Sequence, residues 1–171
     1  MLPGTRNPPS DIDRGPSAVI SRLAGTNLGD MTAAGFGGLA AAFDGTTSQA
    51  GNNCAAKIIA VNNVAWIVKS FAAPTAMDDS LIYGSYNQGF IVGNTGGVTI
   101  QRYGKIGSAP VNSTDGVLVG TLTFSDTNNE SAGRLIPCTD KLTYFDHGWY
   151  RISITQNATL LVAECVFKGW Q

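Results

Sequence analysis

At 171 residues the chain is long enough to bury one good hydrophobic core, which favours a single domain with a short extension. Charged residues make up only 13% of the sequence and there are 21 glycines, a composition that excludes a helical bundle and favours strands joined by many turns. The net charge of −1, with Lys and Arg scattered along the chain, excludes a nucleic acid partner, which would need concentrated positive charge.

Residues 1–18 predict an extended N-terminal arm. Its prolines leave no hydrophobic period from which a core could form: Pro3, Pro8, Pro9 and Pro16. One interpretation is an unstructured terminus, and the other is an arm that lies on a neighbouring subunit and becomes ordered on assembly. No apolar run resembles a signal peptide or a transmembrane segment, so we expect a soluble protein made in the cytoplasm, without membrane insertion.

From residue 19 onward, short runs of β-forming residues alternate with turn signals, which predicts an antiparallel β-sandwich or barrel. The run 150–155 alternates apolar and polar residues, as a strand with one buried face does. Asn62-Asn63 predicts a hairpin between its neighbours, and Asp146-His147-Gly148 predicts a turn. Residues 33–42 alone are compatible with a helix, and their glycines make it a poor one. The predicted strands are 55–61, 64–68, 80–83, 90–92, 98–103, 117–124, 141–145, 150–155 and 159–167.

The cysteines, Cys54, Cys138 and Cys165, are odd in number and lack metal-ligand spacing. Cys165 lies in an alternating apolar run, which predicts a buried thiol. A disulfide between Cys54 and Cys138 remains an alternative. The count does not support the disulfide framework of a secreted protein.

Several short segments occur in an order typical of one family of binding domains. They are Ala42-Phe43-Asp44-Gly45-Thr46-Thr47, Trp66-Ile67-Val68, Tyr83-Gly84-Ser85, Ser113-Thr114-Asp115-Gly116, Trp149-Tyr150-Arg151-Ile152 and Ala163-Glu164. In this order the chain resembles the discoidin-like (F5/8 type C, galactose-binding-like) domain over residues 19–171. The resemblance implies an all-β, antiparallel sandwich of jelly-roll type, and a protein that binds rather than catalyses.

The resemblance also implies a structural calcium ion, because many bacterial members hold one between the Asp-Gly loop and the glutamate of the last strand. Carried over to this sequence, its ligands would be Asp44, Thr46, Thr47, the Ala163 carbonyl and Glu164. The sequence supplies a separate reason, since Glu164 lies in an otherwise apolar strand and a carboxylate there needs a partner. The alternative partners for Glu164 are Arg22, Arg151 or loop amides.

Members of this family that bind carbohydrate do so with loops at one end of the sandwich, where aromatic rings and polar side chains meet the sugar. The candidates here are Tyr86, Asn87, Gln88, His147 and Trp149, with Asn52 and Asn53 as further polar residues. The alternative is that these aromatic residues only pack over an edge of the sandwich. His147 is the one histidine and no nucleophile motif accompanies it, so we do not expect an enzyme.

The segment 48–53 replaces a tryptophan usual in the family, and the terminal disulfide of the animal domains is absent. With the arm and the Gly-, Ala-, Thr- and Asn-rich composition, these departures favour a structural virion component of a tailed phage or phage-like gene transfer agent. It would be a homo-oligomer of tail, fibre or head-spike type, joined to other virion subunits through residues 1–18 and binding host surface polysaccharide. The alternatives are a connector or decoration protein with only protein contacts, and a carbohydrate-binding accessory module of a bacterial protein.

Overall fold

A computed structural model describes residues 14–20, 25–59, 64–92, 96–126 and 133–171. A one-turn helix α1 (Gly38–Ala41) and a 3-10 helix (Gly51–Asn53) interrupt an otherwise β structure. The strands are β1 (Ala18–Val19), β2 (Asn27–Gly29), β3 (Ala55–Ile59), β4 (Val64–Met77), β5 (Ser80–Tyr83), β6 (Gly96–Lys105), β7 (Val117–Asp126), β8 (Arg134–Ile136), β9 (Tyr144–Ile154), β10 (Ala158–Val162), β11 (Glu164–Val166) and β12 (Lys168–Trp170).

The strands form one large sheet and two small ones, and their pairings are antiparallel. The large, seven-stranded sheet has the order β1-β12-β4-β9-β6-β7, with β2 also paired to β4. The small sheets have the orders β10-β3 and β11-β5-β8. The prediction of an all-β antiparallel sandwich is therefore confirmed.

The main core lies between the large sheet and the small ones. Tyr150 and Ile152 of β9 are fully buried in one cluster with Ile82 of β5, Leu160 of β10 and Phe167. Tyr150 and Phe167 stack with ring centroids 4.7 Å apart. The alternation predicted for 150–155 is confirmed, because Arg151 and Ser153 between these apolar residues are only partly buried.

Two local predictions are wrong. The predicted hairpin between the strands at 55–61 and 64–68 is wrong, because β3 pairs with β10 and β4 pairs with β9 in a different sheet. Asn62-Asn63 lie outside the described residues. Asp146-His147-Gly148 is not a turn, because β9 continues through it and pairs with β4 on one side and β6 on the other. Gly148 is a packing requirement there: a Cβ at this position would lie 2.8 Å from Met77 Sδ and from the Phe71 ring.

The predicted boundary between arm and sandwich, after residue 18, lies within β1, and residues 1–13 lie outside the described part of the chain. β1 is the edge strand of the large sheet and pairs with β12. Ser17 Oγ donates a 2.7 Å hydrogen bond to Asp78, and the Arg14 guanidinium lies over the Trp170 ring. The last residues of the predicted arm therefore pack against the sandwich of their own chain.

The cysteines Cys54, Cys138 and Cys165 are buried as free thiols, so the alternative of a Cys54–Cys138 disulfide is wrong and the buried Cys165 is confirmed. Among the described residues, no helix has the length and apolar character needed to cross a bilayer.

Candidate functional site

One surface pocket brings together two of the segments that the sequence singles out. Its volume is about 670 Å³. Asp44 and Thr46 line one side, and Tyr86 lines another. The remaining lining residues come from α1 and from the chain leading through the 3-10 helix: Gly37, Ala40, Ala41, Ser48, Gln49, Ala50 and Asn53.

Tyr86, Asn87 and Gln88 form a tight tip after β5. Ser85 and Gly89 close it with two backbone hydrogen bonds of 2.8 and 2.9 Å. Gly89 has φ +64°, a left-handed conformation that favours glycine. The tip therefore holds Tyr86, a residue that is 45% exposed, against the pocket.

Asp126, at the end of β7, anchors the chain that leaves this tip. One oxygen of its fully buried carboxylate accepts hydrogen bonds from the backbone N–H groups of Phe90 and Ile91, at 2.9 and 2.8 Å. A Cβ on Gly89 would come within 2.5 Å of the same carboxylate. Asp126 and Gly89 therefore pack too closely for the tip to shift without displacing a buried charged group.

The Asp44 loop is a turn held by side-chain acceptors. Asp44 Oδ1 accepts a 2.7 Å hydrogen bond from the Thr46 N–H, the short-range bond by which aspartate stabilises turns. Gly45 has φ +90°, and its N–H donates to Glu164 Oε2 at 3.0 Å. Because Glu164 is fully buried in β11, this contact fixes the loop to the last part of the sandwich.

Gln49 joins the two sides of the pocket. Its side-chain nitrogen contacts both Asp44 carboxylate oxygens, at 3.0 and 2.9 Å. Its backbone carbonyl accepts a 3.1 Å hydrogen bond from the Tyr86 N–H and lies 3.2 Å from Ser85 Oγ. A single residue, only 6% exposed, thus connects the Asp44 loop to the Tyr86 tip.

Cys54 lies beneath this part of the pocket, with its thiol 3.4 Å from the Ala50 carbonyl. Burial, with a smaller contribution from the Asp44 carboxylate, raises the pKa of Cys54 to about 11. At neutral pH the thiol is therefore protonated and lacks the thiolate that a nucleophilic cysteine requires.

The predicted carbohydrate-binding residues separate into two groups. Tyr86 lines the pocket; Asn87, exposed on the same tip, accepts a 2.6 Å hydrogen bond from Ser85 Oγ. Gln88 is partly buried, and its side-chain oxygen packs closely against Gly51. A Cβ at position 51 would lie 2.2 Å from that oxygen. Of the predicted Asn52-Asn53 pair, Asn53 lines the pocket.

His147 and Trp149 lie elsewhere, in the large sheet. The His147 ring nitrogens contact Ser70 Oγ and the Gly107 carbonyl, each at 2.8 Å. Trp149 is fully buried, stacks on Tyr103 with centroids 5.4 Å apart, and donates to the Ser113 carbonyl. Placing them in a binding loop is wrong, because both residues belong to the central strand β9 and both rings are used internally.

The predicted calcium ligands surround the Asp44 loop. Asp44 and Thr46 line the pocket, Thr47 is partly buried, and Ala163 and Glu164 are fully buried. Arg151 donates to Gln101 instead of Glu164, and Arg22 lies outside the described residues. Glu164 accepts from a loop amide, as one of the alternatives expected. No three His, Cys, Asp or Glu side chains cluster as a metal site within the described ranges, so a cation here would need backbone or hydroxyl oxygens in addition to the carboxylates.

Sequence reasoning missed Gln49 and Asp126. Gln49 lies in the segment that departs from the family pattern, and Asp126 lies at the end of a strand where carboxylates are commonly solvated. Asp126 acts on Phe90 and the Gln49 backbone carbonyl on Ser85, each 36 residues away, whereas the Gln49 side chain contacts residues within the same loop. No local pattern of residues would have identified them.

The chain matches no protein-family model and no curated protein at a significant level. Several solved structures are similar in fold. A fucolectin from striped bass (Morone saxatilis) serum has a TM-score of 0.62 and 14% identity, with 88% of this chain and 48% of that one covered. An F5/8 type C domain from Bacteroides fragilis has a TM-score of 0.59 and 15% identity, covering 92% and 99%. A fucose binding module from Streptococcus pneumoniae has a TM-score of 0.52 and 15% identity, covering 90% and 100%.

The chain spans about half the length of the fucolectin chain and nearly all of the two bacterial domains. TM-scores of 0.62, 0.59 and 0.52 show a shared fold, while identities of 14–15% leave function to be argued from the site itself. The sequence resemblance and the structural similarity agree on one architecture. The chain has the discoidin-like fold.

Proposed function

We propose that this protein binds carbohydrate in the pocket between the Asp44 loop and the Tyr86 tip. The observation that carries the proposal is the exposed Tyr86 ring beside the carboxylate, hydroxyl and amide groups of Asp44, Ser48 and Asn53. A sugar presents an apolar C–H face and a rim of hydroxyl groups, which an aromatic ring and fixed polar groups can bind together.

The small residues of the pocket support this assignment. Gly37, Ala40, Ala41 and Ala50 leave room for a ring-sized ligand against the backbone, while polar side chains surround it. Two of the similar structures are named for fucose, and a third is a chitosan-binding module from a Paenibacillus chitosanase/glucanase. These names suggest the first ligands to test.

The test is a glycan array probed with the labelled full chain, followed by calorimetric titration of the strongest ligand. The array should include fucosylated glycans, galactosides and chitosan oligosaccharides. We expect Tyr86→Ala to weaken binding about tenfold or more, because the stacking surface is lost. Leu142→Ala is the matched control, since Leu142 is 52% exposed and outside the pocket. Wild-type affinity in Tyr86→Ala, or no binding to any glycan, would contradict the proposal.

We further propose that the protein works as a structural component of a phage-like particle, where many copies would strengthen individually weak sugar binding. The low charge content and the proline-rich residues 1–18 support this setting. β1, at which the arm joins the sandwich, is an edge strand, so a neighbouring subunit could approach the arm there.

Mass spectrometry of purified particles from cells that produce the protein tests the setting. Deleting residues 1–13 should abolish incorporation while keeping the Arg14 and Ser17 contacts, and Tyr86→Ala should leave incorporation unchanged. Absence of the chain from the particles would contradict a virion role. Incorporation together with an inactive pocket would favour a connector that makes only protein contacts.

A further inference from the structure

The side-chain nitrogen of Gln49 occupies the centre of a ring of oxygen atoms in the Asp44 loop. It lies 3.0 and 2.9 Å from the two Asp44 carboxylate oxygens. The Ala41 carbonyl is 3.2 Å away and the Thr46 carbonyl is 3.3 Å away. Since an amide nitrogen carries two hydrogens, it shares them among four acceptors.

The orientation of this amide follows from its surroundings. All four neighbouring atoms are acceptors, so only the NH₂ end of the Gln49 side chain can face them, and its carbonyl end would be repelled. A carboxylate with two converging carbonyls is also the type of ligand set that a calcium ion takes, at oxygen distances of about 2.3–2.6 Å. The distances here are those of N–H···O hydrogen bonds.

Three of the five ligands expected for calcium, Asp44, Thr46 and Glu164, already have hydrogen-bond partners. Asp44 and Thr46 face the Gln49 nitrogen, and one oxygen of Glu164 accepts from the Gly45 N–H. A cation at the centre of the ring would have to expel a side chain that is only 6% exposed and would displace its hydrogen bonds. The residues present do not fit a calcium ion while Gln49 keeps this position.

We propose that the Gln49 side-chain amide takes the place of a structural cation in the Asp44 loop, so that the loop and the pocket are stable without calcium. The partly positive NH₂ group supplies the electrostatic role of the ion for Asp44. The Gln49 backbone carbonyl meanwhile holds Tyr86 and Ser85. The inference concerns the stability of the loop and stands whether or not the pocket binds carbohydrate.

Thermal unfolding of the full chain in calcium chloride, in magnesium chloride and in EDTA tests the proposal. The wild-type melting temperature should be the same in all three. Gln49→Ala should melt roughly 3–8 °C lower in EDTA, because several acceptors lose their donor. Millimolar calcium should restore much of that loss and magnesium should not, since the emptied ring suits the larger ion. Gln88→Ala, a neighbouring amide outside the ring, should not respond to calcium.

A wild-type melting temperature that falls in EDTA and returns with calcium would overturn the proposal, because a cation would then displace Gln49. Unchanged stability in Gln49→Ala, or a variant that calcium fails to stabilise, would overturn it as well. If Gln49→Ala fails to fold, calorimetric titration of the wild-type chain with calcium chloride still shows whether the loop binds a calcium ion. Saturable binding would contradict the proposal, and its absence is the expected result.

Discussion

Trp149 and Tyr86 show how strongly the role of an aromatic residue depends on its position in the sheet. Trp149 is fully buried on the face of β9 opposite to Tyr150, in a separate cluster with Val68 and Tyr103. It stacks on Tyr103, and its indole N–H donates to the Ser113 carbonyl. Tyr86 lies on a three-residue tip and is 45% exposed. The first residue therefore contributes to stability, and the second is available to a ligand.

Replacing each residue tests whether Trp149 stabilises the fold and Tyr86 does not. Trp149→Ala is expected to lower the free energy of unfolding by about 3–5 kcal/mol, because it leaves a large cavity beside Tyr103 and an unused acceptor at Ser113. Tyr86→Ala is the matched surface control and should change it by about 0.5 kcal/mol or less. Denaturant titration measures both, and a Trp149→Ala variant as stable as the Tyr86→Ala control would contradict the assignment.

At the scale of elements, the junction between β4 and β5 connects the arm to the sandwich. Asp78 accepts hydrogen bonds from Ser17 and forms a 2.8 Å ion pair with Lys141. Burial alone would raise the pKa of Asp78, but the hydrogen bonds from Lys141 and Ser17 outweigh it and hold that pKa below its ordinary value of 3.8. The ionised form is therefore stabilised in the folded protein.

The direction of this shift predicts an acid dependence. A carboxyl group whose pKa is lower in the folded state stabilises the fold above its ordinary pKa, and this contribution is lost as pH falls through the folded value. Asp78→Asn should therefore melt about 2–4 °C below wild type at neutral pH. The difference in melting temperature between wild type and Asp78→Asn should narrow as the pH falls below 3.8. If this difference in melting temperature stays constant as the pH is lowered through that range, Asp78 does not act through its charge.

The sequence pattern predicted the positions of the strands better than it predicted which strands pair with each other. The period of two in 150–155 correctly identified the buried face of β9, because alternation reports directly on burial. Pairing of β3 with β10, about a hundred residues later, leaves no local trace, so Asn62-Asn63 wrongly suggested a hairpin. The sequence Asp146-His147-Gly148 has turn composition, but Gly148 is required by Phe71 and Met77 on the neighbouring strand.

The candidate site was predictable only in part, because some of its residues have local sequence signals and others depend on long-range contacts. Asp44 and Tyr86 lie in segments with their own local signals, an Asp-Gly turn and a tip between glycines, and the pocket contains both. Asp126 and the backbone carbonyl of Gln49 act on partners that only the fold brings near. A polar residue that is buried by long-range contacts cannot be distinguished from a solvated one by its neighbours in sequence.

On the scale of the whole molecule, β5 separates the arm contact from the pocket. Asp78, which binds Ser17, precedes β5, and Ser85, which binds Gln49, follows it. Seven residues of extended chain span about 20 Å, so the two contacts lie at opposite ends of this strand. A protein held by its arm would thus present the pocket away from its attachment, which suits the proposed binding role.

Nuclear magnetic resonance of the isotope-labelled full chain is the sharpest test of whether carbohydrate binds in this pocket. The strongest glycan from the array would be titrated while backbone amide shifts are followed. Concentration-dependent changes should be confined to residues 37–53 and 85–89, around the Asp44 loop and the Tyr86 tip. Changes concentrated elsewhere, such as the exposed apolar residues between 106 and 118, or no changes at all, would show that the pocket is not the carbohydrate site.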